Sequence, residues 1–323
     1  MEAASATATA APTGIRRTRH LRDRVGDRVL YVLTGIAALL SVLLVVGIAW
    51  QLIDKALPAI KHFGISFVWD STWNPVTDVY GARNYLIGTL VTAFGAMVIA
   101  APISIAIGLF LSELAPPSIR GPIGSLVDML AAVPSVVIGL WGIYVLLPVA
   151  HDTIEPFLHR WFGWIPLFGQ PSPAGVFPAM LVLAIMATPI ITSICRELFI
   201  SVPNDLEEAA IGLGATRWEM VRGVVIPAVK GGVVAGIVLG LGRALGEAIA
   251  VTQVIGNGVP IRLNLFAPGT TLASQLANQY SSQISPLSVS SLIYLGLILL
   301  VITFTTNFIA QRIVHRFDRQ RTR

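Results

Sequence analysis

Apolar residues fall along this chain in six runs, 29–50, 85–114, 123–150, 176–194, 224–251 and 288–314. Each approaches or exceeds the roughly 20 residues that an α-helix needs to cross a bilayer core. Backbone N–H and C=O groups find no water in lipid, so each run is expected to satisfy them internally as a helix. The fold class that follows is all-α: a polytopic membrane protein whose six transmembrane helices occupy residues 29–314. Pro134 in the third run and Pro189 in the fourth remove a backbone donor and are expected to kink their helices.

The segment between the fourth and fifth runs, SVPNDLEEAAIGLGATRWEMVRGVVIP, is too polar to stay in lipid but is patterned to fold. Asn204 with Glu207, and Asp205 with Glu208, have capping-box spacing, so a short helix is expected to begin there. Leu206, Ala209, Ala210 and Leu213 recur at spacings of three and four and give that helix one small apolar face. Gly214 is placed to end it in the left-handed region. Thr216 and Glu219 form another capping box, from which a second helix restarts and runs into the membrane with Pro227 near its first turns.

The fifth run carries a feature lipid does not favour. At about 100° per residue, Gly232, Gly236, Gly240, Arg243 and Glu247 share one face of a continuous helix. Small residues at four-residue spacing admit a second helix at close range, so this face is expected to look toward protein or a pathway. Charges within a membrane helix cost about 3 kcal/mol on insertion scales and are paired or functional. Two readings stand side by side: Arg243 and Glu247 neutralise each other one turn apart, in the outer half of the bilayer, or they line an anion path. A guanidinium offers bidentate donors to an oxyanion. A carboxylate beside it accepts a proton from an anion that still carries one, as phosphate does at neutral pH and sulfate does not.

Composition narrows the class. The chain has 323 residues, of which 54% are hydrophobic and 12% charged, about half the charge of a soluble domain. Its single cysteine, Cys195, excludes an intramolecular disulfide framework. Arg16, Arg17, Arg19, Arg22, Arg24 and Arg28 precede the first run, and Arg312, Arg316, Arg319, Arg321 and Arg323 close the last. Basic flanks face the cytoplasm, so both tails, 1–28 and 315–323, are expected inside, with residues 1–14 disordered. The loop 196–223 then falls inside as well, with Arg196, Arg217 and Arg222, while Lys55, Lys61, Arg83, Arg160 and Arg262 fall outside. The basic tails read as a lipid clamp and call for no nucleic acid. Trp161 and Trp164 read as interfacial anchors, Asn74-Pro75 as a turn, and Asp128 as an interfacial or capped carboxylate. His62, His151 and His159 lack ligand spacing, and no metal is assigned. No phosphate-cradling Gly-rich loop ending in Lys-Ser/Thr, HExxH or GxSxG is present, so if transport is driven here, its energy comes from another chain.

Glu208, Ala209, Ala210, Gly214, Val224, Ile226 and Pro227 stand at the spacing of the EAA loop, and the segment resembles that of ABC importer permeases. RALGE in the fifth run, LAAVPSVVIGLWG in the third, RNYLIGTL before the second and LFAPGTTLAS before the sixth are similar to PstC-type permeases of bacterial phosphate importers. The resemblance implies a type I importer permease of MetI-like architecture in the cell inner membrane. Glu208, Ala209 and Gly214 are then the implied contact with the ATPase, and Arg243 and Glu247 the transport pair. It also implies a homologous second permease (PstA-type), an ATPase dimer (PstB-type) that binds the ATP and Mg, and an outer phosphate-binding protein (PstS-type). This chain has Ala248 where relatives often carry a Thr, so a hydroxyl is missing beside the pair. Three alternatives stay open: a sulfate or molybdate permease, a passive anion channel, and an intramembrane hydrolase using Glu247 or Asp128 as base.

Overall fold

The computed structural model describes residues 21–258, 264–282 and 285–319. The expected disorder of 1–14, and Arg16, Arg17, Arg19, Arg262, Arg321 and Arg323, lie outside the described residues. Among the described residues, six helices are long and apolar enough to cross a membrane: Gly26–Phe63, Arg83–Leu114, Ser135–Phe162, Val176–Ile200, Arg217–Gly246 and Pro286–Val314.

The chain divides into two units, Met1–Gln51 and Leu52–Arg323. In the first, helix α1 (Leu21–Phe63) exposes apolar side chains on every side from Val29 to Trp50, the character of a helix that lipid or another chain surrounds. The second unit opens with the end of α1, Leu52 to Phe63, followed by the short α2 (Ser66–Trp69) and a hairpin of β1 (Trp73–Asn74) and β2 (Val79–Tyr80), in which Trp73 pairs with Tyr80. Asp78, at φ 51°, completes the turn that Asn74-Pro75 begins. Trp73 stacks edge-on against Tyr80 and Tyr85, tying the hairpin to the start of α3 (Arg83–Leu109).

Helix α4 (Pro117–Ala131) follows a π turn at the end of α3. Helices α5 (Ser135–Trp141), α6 (Leu147–Val149) and α7 (Glu155–Phe162) are joined by π turns into one rod from Ser135 to Phe162. Then come α8 (Val176–Ile200), α9 (Asn204–Gly212), α10 (Arg217–Met220), α11 (Ile226–Gly246) and α12 (Ile249–Val254). Helices α13 (Leu272–Gln279) and α14 (Pro286–Arg319) end the described chain.

Helix α8 forms the centre of the second unit, with 67% of its most apolar window buried. Its neighbours are α3, α11 and α4. Close approach is possible because the facing residues are small: Ala93, Ala96 and Ala100 on α3 and Ala179, Ala184 and Ala187 on α8 are all buried. A Cβ on Gly95 would strike Met180, and one on Gly108 would lie 3.0 Å from the Cβ of Cys195. Lipid tails are as apolar as the helices, so this contact density, rather than release from water, holds the bundle together. The Ser104 hydroxyl adds an interhelical hydrogen bond to the Thr188 carbonyl at 3.1 Å.

Two of the six runs are cut differently from the sequence expectation. The third does not cross as one helix over 123–150: α4 ends at Ala131, Pro134 takes an extended ψ of 137°, and the spanning rod starts at Ser135 and continues to Phe162. Proline removes a donor and pushes the preceding residue out of the helical region, so Pro134 breaks this helix where a kink was expected. Pro189 stays inside α8. The fifth run is interrupted after Gly246, as described below. Outer segments expected as loops are also more helical, since α1 continues to Phe63, α7 extends to Phe162, and α13 lies within 253–287.

Candidate functional site

The polar segment after α8 folds as a helix, a turn and a helix. Helix α8 continues through Arg196 to Ile200, so the connector begins at Ser201. Helix α9 starts where the sequence placed it, but neither expected capping box at Asn204 or Asp205 forms. Its N-cap is Pro203, at φ −62° and ψ 128°, with no side-chain bond. Proline's fixed φ delivers the chain into the first turn, and Asp205 and Glu207 in that turn complement the helix dipole. Gly214 takes φ +89°, a conformation that side chains with a Cβ resist. The box at Thr216 forms in both directions: the Glu219 carboxylate accepts from the Thr216 N–H at 2.8 Å, and the Thr216 hydroxyl accepts from the Glu219 N–H at 3.3 Å.

From Arg217 the chain is helical to Gly246, with a π turn at Val221–Val225 immediately ahead of Pro227. That turn absorbs the hydrogen bond the proline cannot donate. The 30-residue rod is about 45 Å long. Glu208, Ala209 and Gly214 are all exposed at its lower end, together with Leu213 and Trp218. The inward side of α9 behaves differently: Ala210 packs on the main core, and Glu207 borders a cavity of about 470 Å³ with Glu113, Ile211 and Trp218. Partial burial, reinforced by the Glu113 carboxylate, raises the pKa of Glu207.

At the other end of the rod the glycine face meets protein. Cβ atoms on Gly232, Gly236 and Gly240 would press on Leu198, Ile194 and Ile191 in turn, an antiparallel ladder down α8. The chain then leaves the helix at Glu247, whose ψ is 120°, and resumes in α12. Arg243 and Glu247 therefore do not sit on one continuous helix, and they form no ion pair; among the described residues the ion pair is Arg196–Asp128. Arg243 lies in the last turn of α11, beside the negative end of its dipole. The half-buried Glu247 accepts the Ala250 N–H at 3.2 Å, on the positive end of α12. Each charge thus has a helix end of opposite sign to stabilise it. Glu247 does for α12 what a capping side chain does, which is why the break can persist without a proline.

The depth expectation changes too. A Cβ on Gly242 would sit 3.4 Å from the Oδ1 of Asn307, and Asn307 lies well inside the Pro286–Val314 span. Arg243, the next residue, therefore lies beside the part of α14 seven residues before Val314 and away from its Pro286 end. The break also adjoins the break at Pro134. Gly139, one turn into α5, packs directly on Ala250 and Gln253 of α12, and a Cβ on Gly142 would lie 2.9 Å from Val254.

Two residues were missed in the sequence, and the partners of a third, Asp128, were not foreseen. Thr252 and Gln253 of α12 each bury a side-chain oxygen with no hydrogen-bond partner among the described residues. Asp128 is tied to α8: it accepts from the Ser193 hydroxyl and pairs with Arg196 at 3.3 Å. Gly124 leaves the space that the Arg196 guanidinium occupies. The Ser193 hydrogen bond, followed by Arg196, holds the Asp128 pKa below its usual value. A depressed carboxylate contributes its stability above its unfolded pKa and loses it as pH falls through the folded one. Because Asp128 is half exposed, the pair contributes under about 1 kcal/mol. Hydrogen–deuterium exchange should accordingly find α4 slightly protected at neutral pH and less so below about pH 4, and D128N should remove the pH dependence. Equal pH dependence in D128N would contradict this assignment.

Residues 104–322 match the family model for the binding-protein-dependent transport system inner membrane component. The chain belongs to that family. This inner membrane component is a multi-pass transport protein and not an enzyme. It is 42% identical over 317 residues to the phosphate transport system permease protein PstC of Pasteurella multocida (strain Pm70), covering 95% of this chain and 99% of that protein. The protein of the same name from Mesorhizobium japonicum is 41% identical over 302 residues, covering 92% of each chain. A chain in the crystal structure of a bacterial alginate ABC transporter, in complex with an alginate pentasaccharide-bound periplasmic protein, superposes with a TM-score of 0.56 at 16% identity, covering 92% of this chain and 98% of that one. That likeness carries the fold alone, and the fold is the expected all-α importer permease.

Proposed function

We propose that this chain is the permease subunit through which an ATP-driven importer passes inorganic phosphate. The observation that carries this reading is the near full-length identity to permeases named for phosphate transport. The helix break supplies a chemistry that suits the anion. Arg243 provides bidentate donors, and Glu247, with Oε1 engaged by Ala250, retains lone pairs for the proton that phosphate still carries. In this reading a homologous second permease completes the pathway. A phosphate-binding protein delivers substrate outside, an ATPase dimer holding ATP and Mg docks inside on Glu208, Ala209 and Gly214, and both termini face the cytoplasm.

Coupling runs along the Arg217–Gly246 rod. Closure of the ATPases pushes α9, the Thr216 capping box passes the push to α10, and the continuous helix carries it to the Arg243 end. A cavity facing inward is thereby converted to one facing outward. Competition tests the substrate: labelled phosphate uptake by the assembled importer should resist excess sulfate or molybdate. Dominance of sulfate would assign the chain to that anion instead, and uptake without ATP would mean a channel.

A further inference from the structure

We infer that the cavity beside α13 is a second, neutral oxyanion subsite, a waiting position for phosphate before it reaches the charged break; this rests on the phosphate reading above. The cavity encloses about 510 Å³ and is lined by Trp73, Tyr85, Asn257, Gln275, Asn278 and Gln279, with Ser282 at its rim. No charged side chain is among these described lining residues. A tetrahedral anion fits there with several waters, each of which takes about 30 Å³.

Two pairs of lining side chains bond each other: Trp73 Nε1 donates to Gln279 Oε1 at 2.9 Å, and Asn278 Nδ2 donates to Asn257 Oδ1 at 2.7 Å. Gln275 is 4% exposed, and its Nε2 has no partner among the described residues. A buried donor left unpaired is costly, so the site matches a ligand that brings acceptors. An oxyanion brings acceptors on every face. Uncharged donors hold it without the Coulomb attraction of a basic side chain, which suits a site that must pass its ligand on. The position is also right: α13 packs on α12, and Asn257 follows the end of the six-residue α12, whose first turn Glu247 caps. Substrate leaving the cavity therefore has only the length of α12, about 9 Å, to travel to the break.

The test uses the complete importer in proteoliposomes with saturating binding protein outside and ATP inside, measuring labelled phosphate uptake. Gln275→Glu replaces the donor by a carboxylate of the same shape and should lower uptake at least about tenfold, because it repels the arriving anion. Gln275→Leu should lower it about threefold to tenfold. Asn278→Asp, at an exposed position, gives up the bond to Asn257, places a carboxylate at the mouth and should also lower uptake. Binding-protein affinity and subunit assembly should match the parent in all three. Parental uptake by Gln275→Glu or Asn278→Asp would overturn the subsite, as would a loss matched by an equal loss of binding-protein affinity. Failure of the parent itself to carry phosphate would refute the substrate reading instead.

Discussion

Glu208→Ala should leave the importer assembled in the membrane and cut phosphate uptake roughly thirtyfold or more. Glu208 is exposed on α9, so its loss costs the fold little. Under the proposed function it removes one side of a contact with the ATPase, and truncating a charge in a buried, hydrogen-bonded interface costs about 2–5 kcal/mol. Gly214→Val tests the same lever by another route. Its φ of +89° places a β-branched residue in a region it rarely adopts, so the angle between α9 and α10 must change. The two variants should differ in one respect: Glu208→Ala weakens co-purification of the ATPase, while Gly214→Val retains the ATPase and loses transport per ATP hydrolysed. Parental uptake in both would withdraw the coupling assignment.

A charge exchange between Arg243 and Glu247 should fail to restore transport. An ion pair tolerates reversal, and the double variant Arg243→Glu with Glu247→Arg would then outperform either single change. Here each charge faces a helix end instead. Reversal puts a carboxylate on the negative end of α11 and a guanidinium on the positive end of α12, with an unfavourable change of about 1–4 kcal/mol at each end, since each favourable contact is worth up to about 2 kcal/mol. A guanidinium at position 247 also offers no acceptor for the Ala250 N–H. The double variant is therefore expected to be as inactive as the worse single variant and less stable to heating in detergent. Recovery of uptake in the exchange would restore the ion-pair reading.

What could be read in the sequence was set by lipid and by local chemistry. Six apolar runs appear because the bilayer core accepts little else, and the glycine ladder on α11 is visible because its spacing of four is the spacing of a helix face. The Thr216 box and the positive φ of Gly214 are local events between near neighbours. The breaks were less accessible. Pro134 reads the same whether the helix bends or ends, and the outcome depends on how the freed backbone groups are repaired. No proline marks Glu247; its role as the acceptor for Ala250 needs a backbone turn that the apolar pattern does not announce. Gln275 and Asp128 depended on distant partners, Trp73 and Tyr85 for one cavity and Ser193 and Arg196 for the other contact. The expected boxes at Asn204 and Asp205 fail because Pro203 already sets the entry to α9.

Radiolabelled phosphate uptake, in cells whose only phosphate importer contains this chain, tests the central claim most directly. The parent is compared with Arg243→Gln and Glu247→Gln at matched membrane levels. Each removes one charge and keeps a hydrogen-bonding amide. In Glu247→Gln the amide oxygen can still accept the Ala250 N–H, so the helix break survives. The pathway assignment predicts assembled complexes that hydrolyse ATP and fail to accumulate phosphate, with uptake down about tenfold to hundredfold, the range that loss of a charged hydrogen bond carries. Uptake at the parental rate in both variants would contradict it and leave the two charges as supports for their helix ends.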